Sequence, residues 1–182
     1  MQLKILICGG TGFIGRNLVE HFSKKKNFKV YSTYLNSKPF KTKNVRWIKS
    51  DLRIDRNSAR ITKNIDVVIQ AAATTTGSKD VINQPFVHVT DNAVMNAYLF
   101  RNCFINNVKH VIFFSCTTMY KSSNKPLSEN QFDPRTDIEP KYFGVANTKV
   151  YNEKMCEFYS GLGNTKYTAI RHSNVYGPHD KF

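Results

Sequence analysis

Three glycines near the front of the chain have the type and spacing for phosphate chemistry. "CGGTGFIG" sets Gly9, Gly12 and Gly15 three apart, behind a short apolar run and ahead of Ile14, Leu18 and Phe22 at helical spacing. Glycine at such positions permits a tight turn and close approach of the backbone to a pyrophosphate. The N-terminus of the helix that follows offers free N–H groups and a favourable dipole to the anion. Gly9, Thr11, Gly12, Phe13, Ile14 and Gly15 are therefore expected to cradle a nucleotide cofactor. Asp51-Leu52, just past the third apolar run, suits a second contact, because a carboxylate there can accept from an adenine amine. Folds that prefer NAD usually place an acid after the second strand for the ribose 2′-hydroxyl. Here that place reads "STYLNSK", without an acid, and Lys38, Lys41 and Lys43 are close by. The expected cofactor is NADP or NAD, with these lysines favouring NADP.

The elements that must position these residues follow from periodicity. Apolar runs at Lys4–Cys8, Val45–Ile48, Ile65–Ala73, Val111–Ser115 and Tyr167–His172, and an alternating one at Phe28–Tyr34, predict strands, the first and fourth buried. Helical spacing predicts helices from Phe13 to about Lys24, from Val89 to about Asn106, and over Tyr142–Gly161. On the last of these, Thr148, Tyr151, Met155, Phe158 and Leu162 share one face. Most of the aromatic residues fit core faces. Ser122–Pro140 is a polar loop. Alternating strands and helices of this kind predict an α/β fold, a doubly wound parallel sheet of the Rossmann type.

Composition narrows the class. A chain of 182 residues is long enough for one domain with a real core. No apolar run reaches the roughly 18–20 residues of a membrane span. "MQLKILICGGTGF" lacks the basic n-region and long apolar stretch of a signal peptide. A soluble, cytoplasmic protein is expected. The four cysteines include no C-x-x-C pair, so buried free thiols are expected and a metal site is not. The net charge of +14 has two readings: attraction for polyanions, or a Lys- and Asn-rich solvated surface. The charges are dispersed, at Lys24–Lys26, Lys38–Lys43 and Lys141–Lys154, which favours the second. No RNA-binding motif or stacked aromatic set is visible, so a nucleic-acid partner is not expected.

Several motifs now stand in a telling order. The glycine turn, Asp51-Leu52, "AAA" at 71–73, "VIFFSCTTMY", "TKVYNEK" and "NVYGPHDKF" together resemble the extended short-chain dehydrogenase/reductases. This is the NAD(P)-dependent epimerase/dehydratase group that acts on nucleotide sugars. Within it, "AAATTTGSKD", the "SC" strand end and "YGPHDKF" are most similar to GDP-fucose synthases. The resemblance implies that a Tyr, its pKa lowered by a nearby Lys and by the cofactor's charge, exchanges a proton with a sugar hydroxyl. Hydride meanwhile passes to or from nicotinamide. A Ser or Thr after the fifth strand orients the hydroxyl, the Lys also binds the nicotinamide ribose, and a helix Asn supports the network.

Carried onto this chain, those roles fall unevenly. Lys149 matches the family Lys, in register with Glu153 four residues later, and Asn92 matches the Asn. Ala71, Ala72, Ala73 and Asn174 match cofactor contacts. The hydroxyl position holds Cys116, a poor donor, with Ser115 and Thr117 beside it as substitutes. Thr118 stands where fucose synthases have an acid/base Cys, whose His partner would lie beyond Phe182; His179 is not that His. The Tyr position holds Val145, which cannot transfer a proton.

Tyr142 is seven residues before Lys149 where the family spacing is four. On a helix both spacings share a face, but the rise is about 10.5 Å against about 6 Å. Two readings stay open: Tyr142 as acid/base, or as an aromatic packed at a helix start. Arg171 is read as a pyrophosphate contact or a loop anchor.

Two functions from different classes follow. One is an enzyme acting on a nucleotide-sugar substrate; the other is a non-catalytic dinucleotide-binding module, which Val145 and Cys116 favour. The resemblance also implies a homodimer through two long helices. Family members continue well past this length, so residues 1–182 are expected to form the NAD(P)-binding domain. The C-terminal substrate-binding part would then be largely absent.

Overall fold

Leu6, Ile7 and Cys8 are fully buried, the burial of a strand covered on both faces and flanked on both sides. They belong to β1 (Leu3–Cys8), which lies inside a six-stranded sheet with β2 (Phe28–Tyr34), β3 (Val45–Lys49), β4 (Val67–Gln70), β5 (His110–Cys116) and β6 (Lys166–His172). The order is β3-β2-β1-β4-β5-β6, and every pairing is parallel. This is the Rossmann order, with its reversal between β1 and β4. Among the described residues the α-helices are α1 (Phe13–Phe22), α2 (Asp55–Ile61), α3 (Thr90–Ile105) and α4 (Phe143–Leu162). The computed structural model describes residues 2–75 and 83–180. Thr76–Asp80 of "AAATTTGSKD" and Lys181-Phe182 of "NVYGPHDKF" lie outside them.

Two apolar layers hold the sheet. On one face Leu6, Cys8, Val68, Val111 and Phe113 meet Met95, Leu99, Phe100 and Cys103 of α3 and Met155 and Cys156 of α4. On the other, Ile5, Ile7, Val30 and Ile69 meet Val19 of α1, with Leu18 and Phe22 beside it. Side chains alternate across each strand, so one run of apolar residues feeds both layers.

The structure corrects the sequence reading in four places. A short helix, α2, occupies Asp55–Ile61, where the polar "DRNSARI" carries too few apolar residues to announce it. β4 is four residues long, because register with β1 ends at Cys8–Gln70 and Ala71–Ala73 leave the sheet. The aromatic face of α4 is turned outward. Tyr151, Phe158 and Leu162 are exposed, while Ala146, Thr148, Asn152, Met155 and Cys156 are buried. Phe86, Phe143 and Tyr176 are exposed as well. Cys8, Cys103 and Cys156 are buried free thiols, but Cys116 is only partly covered. Among the described residues, no helix is long and apolar enough to cross a membrane.

Candidate active site

The chain leaves β1 at Gly9 with φ +75°, a conformation that side chains rarely adopt. A Cβ there would lie 2.6 Å from the Cα of Ala72 and 2.8 Å from its N. A Cβ on Gly15 would run into the Gly9 carbonyl, and one on Gly10 into the Ser32 hydroxyl. Gly12 differs: it is exposed, and the nearest atom to its Cβ position is the Gly9 oxygen at 3.4 Å. The turn is braced from β2. The Gly9 N–H donates to Thr33 Oγ1 and the Gly10 N–H to the Thr33 carbonyl, both at 2.9 Å.

Gly12 is the N-cap of α1 and has no side chain to offer. The first-turn N–H groups of Phe13, Ile14 and Gly15 therefore have no acceptor within the helix. They face outward at the C-terminal ends of β1 and β4, where the strand order reverses and this fold takes its ligand. A bare turn that a Cβ would fill, ending on free amides, fits a dinucleotide pyrophosphate.

The rim of this crevice is more occupied. Asp51 Oδ1 accepts from the Arg53 N–H and Nε, both at 3.0 Å, and Oδ2 from Nη2 at 2.8 Å. Arg53 also reaches Asp91 at 2.8 Å, and its guanidinium holds the Asp51 carboxyl below the usual range. Leu52 is buried in the core and props the loop from beneath. The Ala71 N–H donates to the Cys8 carbonyl at 3.2 Å, Ala72 faces Gly9, and Ala73 is exposed. Asn92 accepts from the Thr74 N–H and donates to the Thr74 and His88 carbonyls, each at 2.9 Å. It is thus a strut under the strand exit. Lys38, Lys41 and Lys43 are exposed.

Across the crevice, Lys149 donates to the Phe114 carbonyl at 2.7 Å and lies 4.8 Å from the centre of the Phe113 ring. Burial pushes its ammonium below the usual lysine range, against the opposing pull of Cys116 and Glu153. Cys116 Sγ is 2.8 Å from Thr118 Oγ1, and the exposed Thr117 donates its N–H to the His172 carbonyl at 3.1 Å. Tyr142 ends a 3₁₀ turn and caps α4 with φ −110° and ψ 16°, so the helix does not extend back to it. Its ring lies 5.0 Å from Lys141 Nζ. Val145 is inside the helix. Asn174 is exposed beyond β6.

Arg171 is a loop anchor. It donates to Glu153 through Nε and Nη2, the shortest contact being 2.7 Å, and through Nη1 to the Tyr120 hydroxyl at 2.6 Å and the Glu129 carbonyl at 3.0 Å. Thr117, Tyr120, Glu129 and Arg171 line part of a cavity of about 270 Å³ beside the strand ends. His179 sits 3.1 Å from Glu20, and Asn17 donates to the Pro178 carbonyl at 2.8 Å, which docks the last loop on α1.

Residues 5–182 match the NAD dependent epimerase/dehydratase family. The chain belongs to that family. Among curated relatives, a GDP-L-fucose synthase of Azorhizobium caulinodans is 29% identical over 98% of this chain and 54% of its own length. An uncharacterized UDP-glucose epimerase of Bacillus subtilis, YtcB, is 26% identical over 98% of this chain and 58% of its own length. A solved UDP-N-acetylglucosamine 4-epimerase of Methanobrevibacter ruminantium aligns with 100% of this chain and 58% of that one, at TM-score 0.81 and 26% identity. The chain spans a little over half the length of these relatives.

The chain carries the glycine turn ahead of α1, Cys116 at the end of β5, and Val145 and Lys149 inside α4. Sequence reasoning passed over Gly10, Arg53 and the Tyr120 contact to Arg171. The doubled glycine in "CGGTG" was a signal for the first, and the basic residue beside Asp51-Leu52 for the second. The third joins residues 51 apart and had none.

Proposed function

We propose that this chain is the cofactor-binding domain, spanning 1–182, of an NAD(P)-dependent epimerase, dehydratase or reductase of nucleotide-activated sugars. One observation carries this: the Gly9–Gly15 turn, closed to a Cβ at Gly9, Gly10 and Gly15, ends on the free amides of α1 at the β1/β4 reversal. Gly9, Thr11, Gly12, Phe13, Ile14 and Gly15 hold the pyrophosphate. Asp51, Leu52, Ala71, Ala72, Ala73 and Asn174 border the rest of the cofactor, and Lys38, Lys41 and Lys43 favour the extra phosphate of NADP. The nicotinamide supplies hydride transfer when bound. Lys149, fixed by the Phe114 carbonyl, presents its amine to the cofactor ribose. Cys116 and Thr117 orient a sugar hydroxyl, Tyr142 exchanges its proton, and Asn92 keeps the β4 exit in place.

The protein works in the cytoplasm as a homodimer through α3 and α4. Calorimetry with NADPH and NADH tests the core of this: one site per chain is expected, lost in Gly12→Glu, whose carboxylate would stand where the anion binds. Absence of binding for both cofactors would sink the proposal.

A second reading, a dinucleotide-binding module without turnover, draws on Val145 at the family's Tyr position and on Tyr142 lying outside the helix. It keeps the cofactor turn and discards the acid/base step.

A further inference from the structure

Toward the strand starts, β1, β2 and β3 carry a second concavity that the proposed activity does not use. Lys4 of β1, Tyr31 of β2 and Arg46 of β3 share a face, since Leu6 is registered with Tyr31 and Tyr31 with Arg46. α2 has only seven residues and leaves that face open near the strand starts. Arg60, from its last turn, and Lys63, from the loop after it, form the far wall. The space between is about 410 Å³, within the range of small-ligand pockets.

Its chemistry is one-sided. Four cations line it and no carboxylate does. Among the described residues, none of Lys4, Arg46, Arg60 and Lys63 has a salt-bridge partner, although Arg53, Arg101 and Arg171 all do. Asp66 is the acid that approaches Lys4; it accepts from the Lys4 backbone N–H at 2.9 Å and is already paired with Lys109 at 2.9 Å. Lys29 adds a further positive charge 6.0 Å from the centre of the Tyr31 ring. Like charges held around one hollow repel each other, a cost that a bound anion removes. The rest of the lining is Asn64 with Tyr31, Ile48, Ile61 and Ile65, the last four an aromatic and apolar surface suited to a flat ring.

We infer that this hollow binds a phosphorylated small molecule bearing a flat ring, of the nucleoside diphosphate class, separately from the cofactor turn. The phosphates lie among Arg46, Arg60, Lys4 and Lys63, and the ring rests on Tyr31. A hollow of about 410 Å³ matches one small phosphorylated molecule in size.

ADP is the probe, titrated calorimetrically into the full chain carrying Gly12→Glu, so that the cofactor turn does not contribute. One ADP per chain is expected, weakened by added salt and weakened about tenfold or more by Arg46→Ala with Arg60→Ala, which removes two charge-assisted donors. Both arginines are exposed, so the melting midpoint should hold. Should the double variant unfold, the loop variant Lys63→Glu replaces it and is expected to weaken ADP likewise. ADP binding that vanishes with Gly12→Glu, or that ignores all three substitutions, would overturn the site. A short oligoribonucleotide that binds through Arg46 and Arg60 where ADP does not would overturn it in favour of RNA.

Discussion

At the scale of single residues, the glycine motif divides into two jobs. Gly9, Gly10 and Gly15 are demanded by the fold, since each Cβ would meet protein atoms. Gly12 has room, so the fold itself makes no such demand there. Gly15→Ala is accordingly expected to lower stability by about 1–3 kcal/mol, as overpacking does. Gly12→Ala should stay within about 0.5 kcal/mol, as surface changes do. Denaturant titration of the two variants separates these outcomes. Tyr142 poses a different question, because it is close to Lys149 in sequence yet outside the helix that carries it. Tyr142→Phe, in a form with measurable turnover, is expected to collapse kcat and to spare cofactor affinity. Unchanged turnover would remove Tyr142 from the chemistry and favour the non-catalytic reading.

At the scale of elements, α4 shows what a sequence can and cannot tell. Its existence and length were legible from apolar spacing, but its inward face was not. Two stripes compete: Tyr151, Phe158 and Leu162 on one side, Ala146, Asn152, Met155 and Cys156 on the other. The bulkier stripe reads as core by hydrophobicity, yet small and unbranched residues are the ones that fit against Phe113 and α3. All six strands were legible; β1 and β4, buried along most of their length, read as unbroken apolar runs. The candidate site was legible where it is local, as in the glycine turn, and where register anchors it, as in Lys149 with Glu153. It was illegible where partners come from distant elements, as with Ser32 under Gly10 or Tyr120 on Arg171. The outward stripe also carries a prediction. If α3 and α4 pair two subunits, Phe158→Glu should convert dimer to monomer by light scattering while leaving the melting midpoint of the monomer nearly unchanged, since Phe158 is 60% exposed.

At the scale of the whole molecule, the buried thiols set an alkaline limit. Burial pushes the Cys8 and Cys156 thiols from 9.0 up to about 12, and it raises Cys103 and the Tyr167 phenol as well. Above pH 9 the unfolded chain sheds these protons while the folded one retains them, so stability is full below pH 9 and falls as pH rises toward 12. Thermal melts across that window should show the decline, and Cys8→Ala with Cys156→Ala should make it shallower. The placement of β1 has a consequence of another kind. Its partner β4 is some sixty residues away along the chain, with Ile5 on Val67 and Cys8 on Gln70. Until that late strand arrives, Gly9 has no Ala72 against it and β1 keeps an unpaired edge, the state in which chains aggregate. Such non-local pairing forms slowly. A ligand that recognises only the completed crevice draws molecules out of this hazardous interval by mass action. Supply of such a ligand would then govern the yield of folded chain.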